Sequence, residues 1–202
     1  MIAIIDYDAG NIKSVEKAMI ALSQDACITR DKNIIMSADH VILPGVGAFG
    51  DAMAKLEKYD LINVIHDVCN KGTPFLGICL GLQLMFNSSE EAPGVKGLSI
   101  LDGDIVKIPQ GEYSKIPHMG WNDLTLKGNG RLFNGINSNP YVYFVHSYYL
   151  KAKDEKIVKA TTNYNTIIHA SVEKDNIFAC QFHPEKSSEQ GLKMLKNFIE
   201  IK

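Results

Sequence analysis

The sequence predicts an α/β fold: a central, mostly parallel sheet flanked by helices, with an antiparallel or mixed extension. Three observations predict it. The first half alternates short apolar runs with segments of helical apolar spacing. The second half is a succession of strand-like runs closed by one amphipathic segment. Between them, Gly77-Ile78-Cys79-Leu80-Gly81 sits where an apolar run gives way to a helical pattern. Strands alternating with helices imply a parallel sheet covered on both faces. No repeat, low-complexity tract or linker divides the chain, so one domain over residues 1–202 is expected.

The elements follow in order. Residues 1–6 form an apolar first strand, with no basic segment before it to suggest a signal peptide. Residues 11–22 carry Ile12, Val15, Ala18, Met19 and Leu22 at helical spacing. Residues 25–30 and 40–43 are the next strands, the latter ending at Pro44-Gly45. Helices are expected over 51–58 and 61–71, then a strand over 74–78 leading into a helix near 82–86. Beyond this, strands are expected over 105–108, 122–126, 141–145, 157–162, 167–172 and 177–182. A helix over 187–199 closes the chain.

Composition narrows the function. Apolar residues make up 46% of the 202, enough for a packed core, and the net charge is -2. No Lys/Arg block suggests a nucleic-acid footprint. No apolar stretch approaches the ~18 residues of a membrane span. Four cysteines show neither CxxC spacing nor a disulfide framework, which fits a reducing cytoplasm. Cys27, Cys69 and Cys180 lie in regular elements and are expected as buried small hydrophobes.

Cys79 is different. A Gly-x-nucleophile-x-Gly at a strand-to-helix turn lifts the side chain out of the sheet, and the small flanking residues remove Cβ clashes. The helix N-terminus behind it favours a thiolate. A cysteine nucleophile needs a base, and His183-Pro184-Glu185 follows the last strand-like run. Glu185 can orient the His183 ring. In open α/β sheets chemistry collects at the carboxyl ends of strands, where both motifs fall. His146 ends another strand-like run, while His66 and His169 read as structural. No two histidines have metal-site spacing, so no metal and no cofactor are expected.

Gly45-Val46-Gly47-Ala48-Phe49-Gly50 matches the G-x-G-x-x-G of dinucleotide sites. Three features oppose that use. Pro44 precedes the glycines, the first βα turn lies elsewhere at residues 6–11, and no acidic residue ends a strand ~20 residues on. An oxyanion role fits better, with one donor from the Leu80 N–H and a second from the Val46-Gly47 region.

These residues carry a family resemblance. Gly77 to Gln83, with His183-Pro184-Glu185, resembles the class I (triad) glutamine amidotransferases, and Pro44-Gly45-Val46-Gly47 resembles their oxyanion strand. Lys115 to Asn122, the opening Asp6 to Asn11, and Phe182 to Ser187 are similar to one branch, the glutaminase subunits of imidazole glycerol phosphate synthase in histidine biosynthesis. The resemblance implies a flavodoxin-like domain hydrolysing glutamine through Cys79, His183 and Glu185. It implies that Gly47, Leu80, Gln83, Ser147 and Tyr148 contact glutamine or its oxyanion. Gln83 stands one helical turn past Cys79.

The pattern spans residues 1–186, so an ammonia-consuming domain is expected on a separate chain. The resemblance makes that partner a (β/α)₈-barrel cyclase subunit in a heterodimer, with Asn11, Trp121, Tyr143 and Lys186 at the interface. Three other readings stay open on sequence alone: a paralogous amidotransferase feeding another barrel-type synthase, a stand-alone cysteine hydrolase, and a non-enzymatic flavodoxin-like binding module. The flexible Gly45-Val46-Gly47 stretch suggests a peptide that flips to complete the oxyanion hole when the partner is loaded.

Overall fold

The computed structural model describes residues 1–111 and 115–202. The first half alternates as expected: β1 (Ile2–Ile5), α1 (Ile12–Ala21), β2 (Ala26–Thr29), α2 (Lys32–Ser37), β3 (His40–Leu43), α3 (Phe49–Lys58), α4 (Ile62–Lys71), β4 (Phe75–Ile78) and α5 (Leu80–Leu84). Helix α2 is an addition to the sequence reading. It is six residues long, too short for a clear period, and its cap marks it: the Asp31 carboxylate accepts from the Asn33 and Ile34 N–H groups.

The second half holds β5 (Ser88–Ser89), β6 (Gly103–Lys107), β7 (His118–Asp123), β8 (Thr125–Leu126), β9 (Tyr141–His146), β10 (Tyr148–Ala152), β11 (Val158–Asn163), β12 (Ile167–Lys174), β13 (Ile177–Cys180) and α6 (Ser188–Ile199). Two expectations needed correction. The strand expected over 122–126 is two strands, β7 and β8, and β7 starts at His118 because Pro117 and Gly120 disguise its first residues as a turn. Strand β10 was not foreseen. Only Ser147 separates it from β9, with no Gly, Pro, Asn or Asp to signal a change of direction, yet β9 and β10 belong to different sheets.

The main sheet has eleven strands among the described residues, in the order β2-β1-β3-β4-β13-β12-β10-β6-β5, with β11 and β8 attached beside β12. Strands β2, β1, β3, β4 and β13 run parallel. From β13 the pairing turns antiparallel through β12, β10 and β6. Strands β7 and β9 form a separate antiparallel ribbon.

Strand alternation decides where the core sits. Ala3, Ile5, Val41, Leu43, Phe75 and Ala179 point to one face, against Leu56, Ile65 and Val68 of α3 and α4. Ile2, Ile4, Ile42, Leu76 and Phe178 point to the other, against Val15 and Met19 of α1 and Leu195 and Phe198 of α6. Strands buried on both faces read as continuous apolar runs, which is why β1, β3, β4 and β13 were legible. Cys69 and Cys180 are buried as expected, whereas Cys27 on β2 is only half-buried because its strand lies at the sheet edge.

The turn after β4 is held by close approach. A Cβ on Gly81 would lie 1.8 Å from the Leu43 carbonyl oxygen, and one on Gly77 would lie 2.9 Å from the Gly81 backbone. Gly81→Ala therefore forces β3 and α5 apart, at a cost of about 3 kcal/mol. Urea unfolding should show this as a lowered midpoint, and an unchanged midpoint would contradict the packing described.

Candidate active site

The site is built by strand register. Strands β4 and β13 pair in parallel with Ile78 opposite Cys180. The next residues, Cys79 and Gln181, therefore leave the sheet side by side, and the Cys79 N–H donates to the Cys180 carbonyl at 2.8 Å. His183 follows two residues on. Cys79 itself takes φ 55 and ψ -107, the left-handed side that a non-glycine residue avoids. Such strain costs of order 1–3 kcal/mol and persists only where the surroundings enforce it. Here β4 before and the Gly81 contact after enforce it. The helix behind Cys79 has five residues, so the dipole behind the sulfur is a single turn's worth.

His183 and Glu185 come together as expected. His183 Nδ1 lies 2.8 Å from Glu185 Oε1, and both side chains are buried. Asn11 Nδ2 donates to the same oxygen at 2.7 Å. Asn11, expected at an interface, thus fixes the carboxylate that fixes the imidazole. Burial draws the His183 pKa down, but interactions with Cys79 and Glu185 outweigh it and hold it at about 9. With Nδ1 on the carboxylate, Nε2 is the free nitrogen, buried and without a hydrogen-bond partner. The His183 backbone is pinned as well. Its N–H donates to the Tyr143 carbonyl, and its own carbonyl accepts from Ser187 Oγ, which in turn accepts from the Tyr143 N–H.

Cys79 opens into a cavity of about 350 Å³, lined also by Val46, Gly47, Leu80, Gln83, Ser147 and Tyr148. All five residues expected to contact glutamine are on its wall. Glu91, Pro117, Val145 and His146 line it too. Of these, the sequence marks His146 at a strand end and Pro117 within the Lys115 to Asn122 segment, whereas Glu91 carries no motif. The Glu91 carboxylate accepts from the Phe49 N–H at 2.8 Å, tying the wall to the start of α3.

The Leu80 N–H, expected as a free donor, instead points at the Gly45 carbonyl at 3.3 Å. Tyr7, fully buried, donates to the Pro44 carbonyl at 2.8 Å and holds the same stretch from the other side. Gly47 sits at φ 109, a conformation few side chains tolerate.

Behind the cavity lies a pair that sequence spacing did not reveal. His118 Nδ1 is 3.0 Å from His146 Nε2, and His146 Nδ1 is 2.9 Å from the Tyr148 carbonyl. A carbonyl only accepts, so His146 carries its proton on Nδ1 and accepts from His118. Burial pushes His118 down to about 4 and His146 to about 3, so both rings stay neutral at pH 7. Their strands pair with His118 opposite His146, a register that sequence alone did not supply.

The outer face of the β7–β9 ribbon carries Met119, Trp121, Tyr141 and Tyr143. Trp121 is 53% exposed and packs edge-on against Tyr143 at 6.2 Å between ring centres. Met119 and Tyr141 are exposed at 62% and 60%, and neither was singled out in the sequence. Lys186 is exposed beside the triad. Among the described residues, no group of three or more His, Cys, Asp or Glu could hold a metal ion. No helix there is long and apolar enough to cross a membrane.

Comparison with known proteins matches this arrangement to a family. The model of the glutamine amidotransferase class-I family matches residues 3–201. The chain is 49% identical to the imidazole glycerol phosphate synthase subunit HisH of Moorella thermoacetica, covering 99% of this chain and 94% of that protein. It is 50% identical to the subunit of the same name from Caldanaerobacter subterraneus subsp. tengcongensis, covering 100% and 98%. A crystal structure of a glutamine amidotransferase shares the fold at a TM-score of 0.76 and 17% identity, over 98% of this chain and 97% of that one. The chain belongs to the class-I glutamine amidotransferase family and, within it, to the HisH subunits of imidazole glycerol phosphate synthase.

Proposed function

We propose that this chain hydrolyses glutamine to glutamate and ammonia with Cys79, His183 and Glu185, and delivers the ammonia to a separate cyclase subunit. The observation that carries the reading is the convergence of these three side chains at two adjacent strand ends, with the sulfur opening into a cavity of about 350 Å³.

Each step follows from that geometry. Cys79 and His183 share one proton, and with it on His183 Nε2 the sulfur attacks the carboxamide carbon of glutamine. His183, held charged by Glu185, returns a proton to the departing nitrogen as the C–N bond breaks, leaving a glutamyl thioester and ammonia. The neutral imidazole then takes a proton from water, whose oxygen attacks the thioester carbon and restores the thiol. Glu185 orients the ring throughout, and Asn11 keeps the carboxylate in place. Gly47, Leu80, Gln83, Ser147 and Tyr148 bind the substrate and its oxyanion.

The closed oxyanion hole favours a partner-gated enzyme over a stand-alone hydrolase. A free hydrolase needs the Leu80 N–H for the tetrahedral oxygen. Here that donor is spent on Gly45, so a peptide near Val46 has to rotate before turnover. Binding of a nucleotide-loaded partner is the event that would favour the rotated state. The partner we infer is a (β/α)₈-barrel cyclase forming a heterodimer. It would turn the phosphoribulosyl-formimino-aminoimidazole carboxamide nucleotide into imidazole glycerol phosphate and aminoimidazole carboxamide ribotide. The apolar outer face of the β7–β9 ribbon, with Trp121 and Tyr143, together with Lys186 beside the triad, is its docking surface. Four free cysteines fit the reducing cytoplasm in which such a pathway runs.

Three measurements check this. Glutamate release by the chain alone should be slow, and should rise at least about a hundredfold with the cyclase and its nucleotide, the scale of one oxyanion donor. Equal rates would remove the gating, and Cys79→Ala should abolish both. In Glu185→Gln, the His183 pKa should fall from about 9 by about one unit or more, read by NMR titration. The raised pKa stabilises the fold fully below about pH 6.5, and this is lost as pH rises through about 9. The stability gap between wild type and variant should therefore close over that window. Trp121→Ala should weaken cyclase binding by roughly 30-fold, the scale of an aromatic anchor, while leaving Cys79 alkylation in the isolated chain unchanged.

A further inference from the structure

We infer that Gln181 is a catalytic residue: its side-chain N–H group holds the Cys79 sulfur and stabilises its thiolate. The inference rests on Cys79 being the nucleophile of the proposed glutaminase, and it adds a group outside the Cys-His-Glu set.

Gln181 is fully buried, a place where a primary amide is tolerated only with its polar atoms satisfied. Its Nε2 lies 3.7 Å from Cys79 Sγ. Strand register puts it there, since Gln181 follows Cys180 as Cys79 follows Ile78 across the β4–β13 pair.

The orientation of the amide is dictated by a chain of contacts. The chain starts at the Tyr148 carbonyl, which can only accept. Gln83 Nε2 donates to that carbonyl at 3.0 Å, which fixes which end of the Gln83 amide is nitrogen. The same Nε2 donates to Gln181 Oε1 at 3.1 Å. That contact turns the other end of the Gln181 amide, the N–H end, onto the sulfur. His146 Nδ1, donating to the same Tyr148 carbonyl, anchors the start of the chain. The result is a directed line, with Gln83 between Tyr148 and Gln181 and the sulfur at its end.

This line supplies what the other neighbours of the sulfur do not. Cys79 Sγ donates its own proton toward the Val145 carbonyl at 3.9 Å, a contact that exists only in the thiol. When the proton leaves for His183 Nε2, that contact is lost and the sulfur gains a negative charge. A fixed N–H donor then strengthens, because a hydrogen bond to an ion is about twice as strong as one to a neutral acceptor. Gln181 thus favours the ionised sulfur over the resting thiol, and it requires no reorganisation because Gln83 already holds it.

The test is the pH dependence of Cys79 alkylation by iodoacetamide in the full-length chain. Gln181→Met keeps the volume and removes the donor. Its alkylation midpoint should rise by about one pH unit, the order expected for one charge-assisted hydrogen bond. Gln181→Glu keeps an acceptor for Gln83 Nε2 but places a carboxylate beside the sulfur, and should rise further. A purely structural role would lower the melting temperature of both variants and leave the alkylation profile superimposed on wild type, which would overturn the inference.

Wild-type protein gives a second test independent of variant folding. The side-chain Nε2 proton resonances of Gln181 should titrate with the alkylation midpoint, and resonances that do not move would also overturn it. The two readings separate cleanly. Wild type that resists alkylation and releases no glutamate with its partner strikes Cys79 as nucleophile. Wild type that does both, beside variants with an unshifted profile, strikes Gln181 alone.

Discussion

The parallel pairing of β4 with β13 is the constraint on which the rest of the site depends. With Ile78 opposite Cys180, the nucleophile and the residues that serve it leave the sheet together. A slip of one residue would turn every side chain of β13 to the other face, burying Ile177 and Ala179 against the wrong layer and moving His183 off the sulfur. The register is secured by core packing on both faces, where Phe178 meets Phe198 edge-on at 5.9 Å and Ala179 lies against the α3–α4 layer. Catalytic geometry is thus set by apolar residues that never touch a substrate.

The second constraint is compression at the elbow. Cys79 is held at positive φ because the chain has no room to relax: Gly81 lies against the Leu43 carbonyl and Gly77 against Gly81. Every side chain larger than hydrogen at either position would widen the turn. The stretch whose Gly45 carbonyl accepts from the Leu80 N–H is pressed into the same space, since a Cβ on Gly45 would meet the Tyr7 hydroxyl and Leu80. The elbow and the Gly45 stretch are therefore one packed unit.

The apolar strands of the parallel half, the elbow and the His-Pro-Glu turn were legible because each is a local pattern. Continuous burial writes itself as apolar runs, and the elbow as paired glycines around a cysteine. What escaped the sequence is long-range. Asn11 reads as the start of a helix, and only the fold brings it to Glu185, 174 residues away. His118 and His146 have no telling spacing, because an antiparallel ribbon pairs them. Gln181 reads as one polar residue in an apolar strand end. Its signal was present, a buried polar side chain beside the catalytic turn, but its orientation required Gln83 and Tyr148. The state of the oxyanion hole was equally hidden, since sequence marks donors and not whether they are spent.

The β7–β9 ribbon touches both reacting groups of the assembled site. The Cys79 thiol points toward Val145, a residue of β9. The His183 backbone hangs from Tyr143, also on β9. His183 Nε2 faces the Cys79 sulfur, and that interaction helps to raise the His183 pKa. Nucleophile and base are thus both held by the inner edge of one ribbon whose outer face exposes Met119, Trp121 and Tyr141. A protein docking on that face presses on the strand that positions both groups, while the main sheet keeps the Cys79 backbone fixed through Cys180. Displacing a two-stranded ribbon deforms far fewer buried contacts than shifting a strand of the eleven-stranded sheet. The main sheet therefore carries both Cys79 and His183 at adjacent strand ends, while the β7–β9 ribbon touches each through its backbone and exposes Met119, Trp121 and Tyr141 on its outer face.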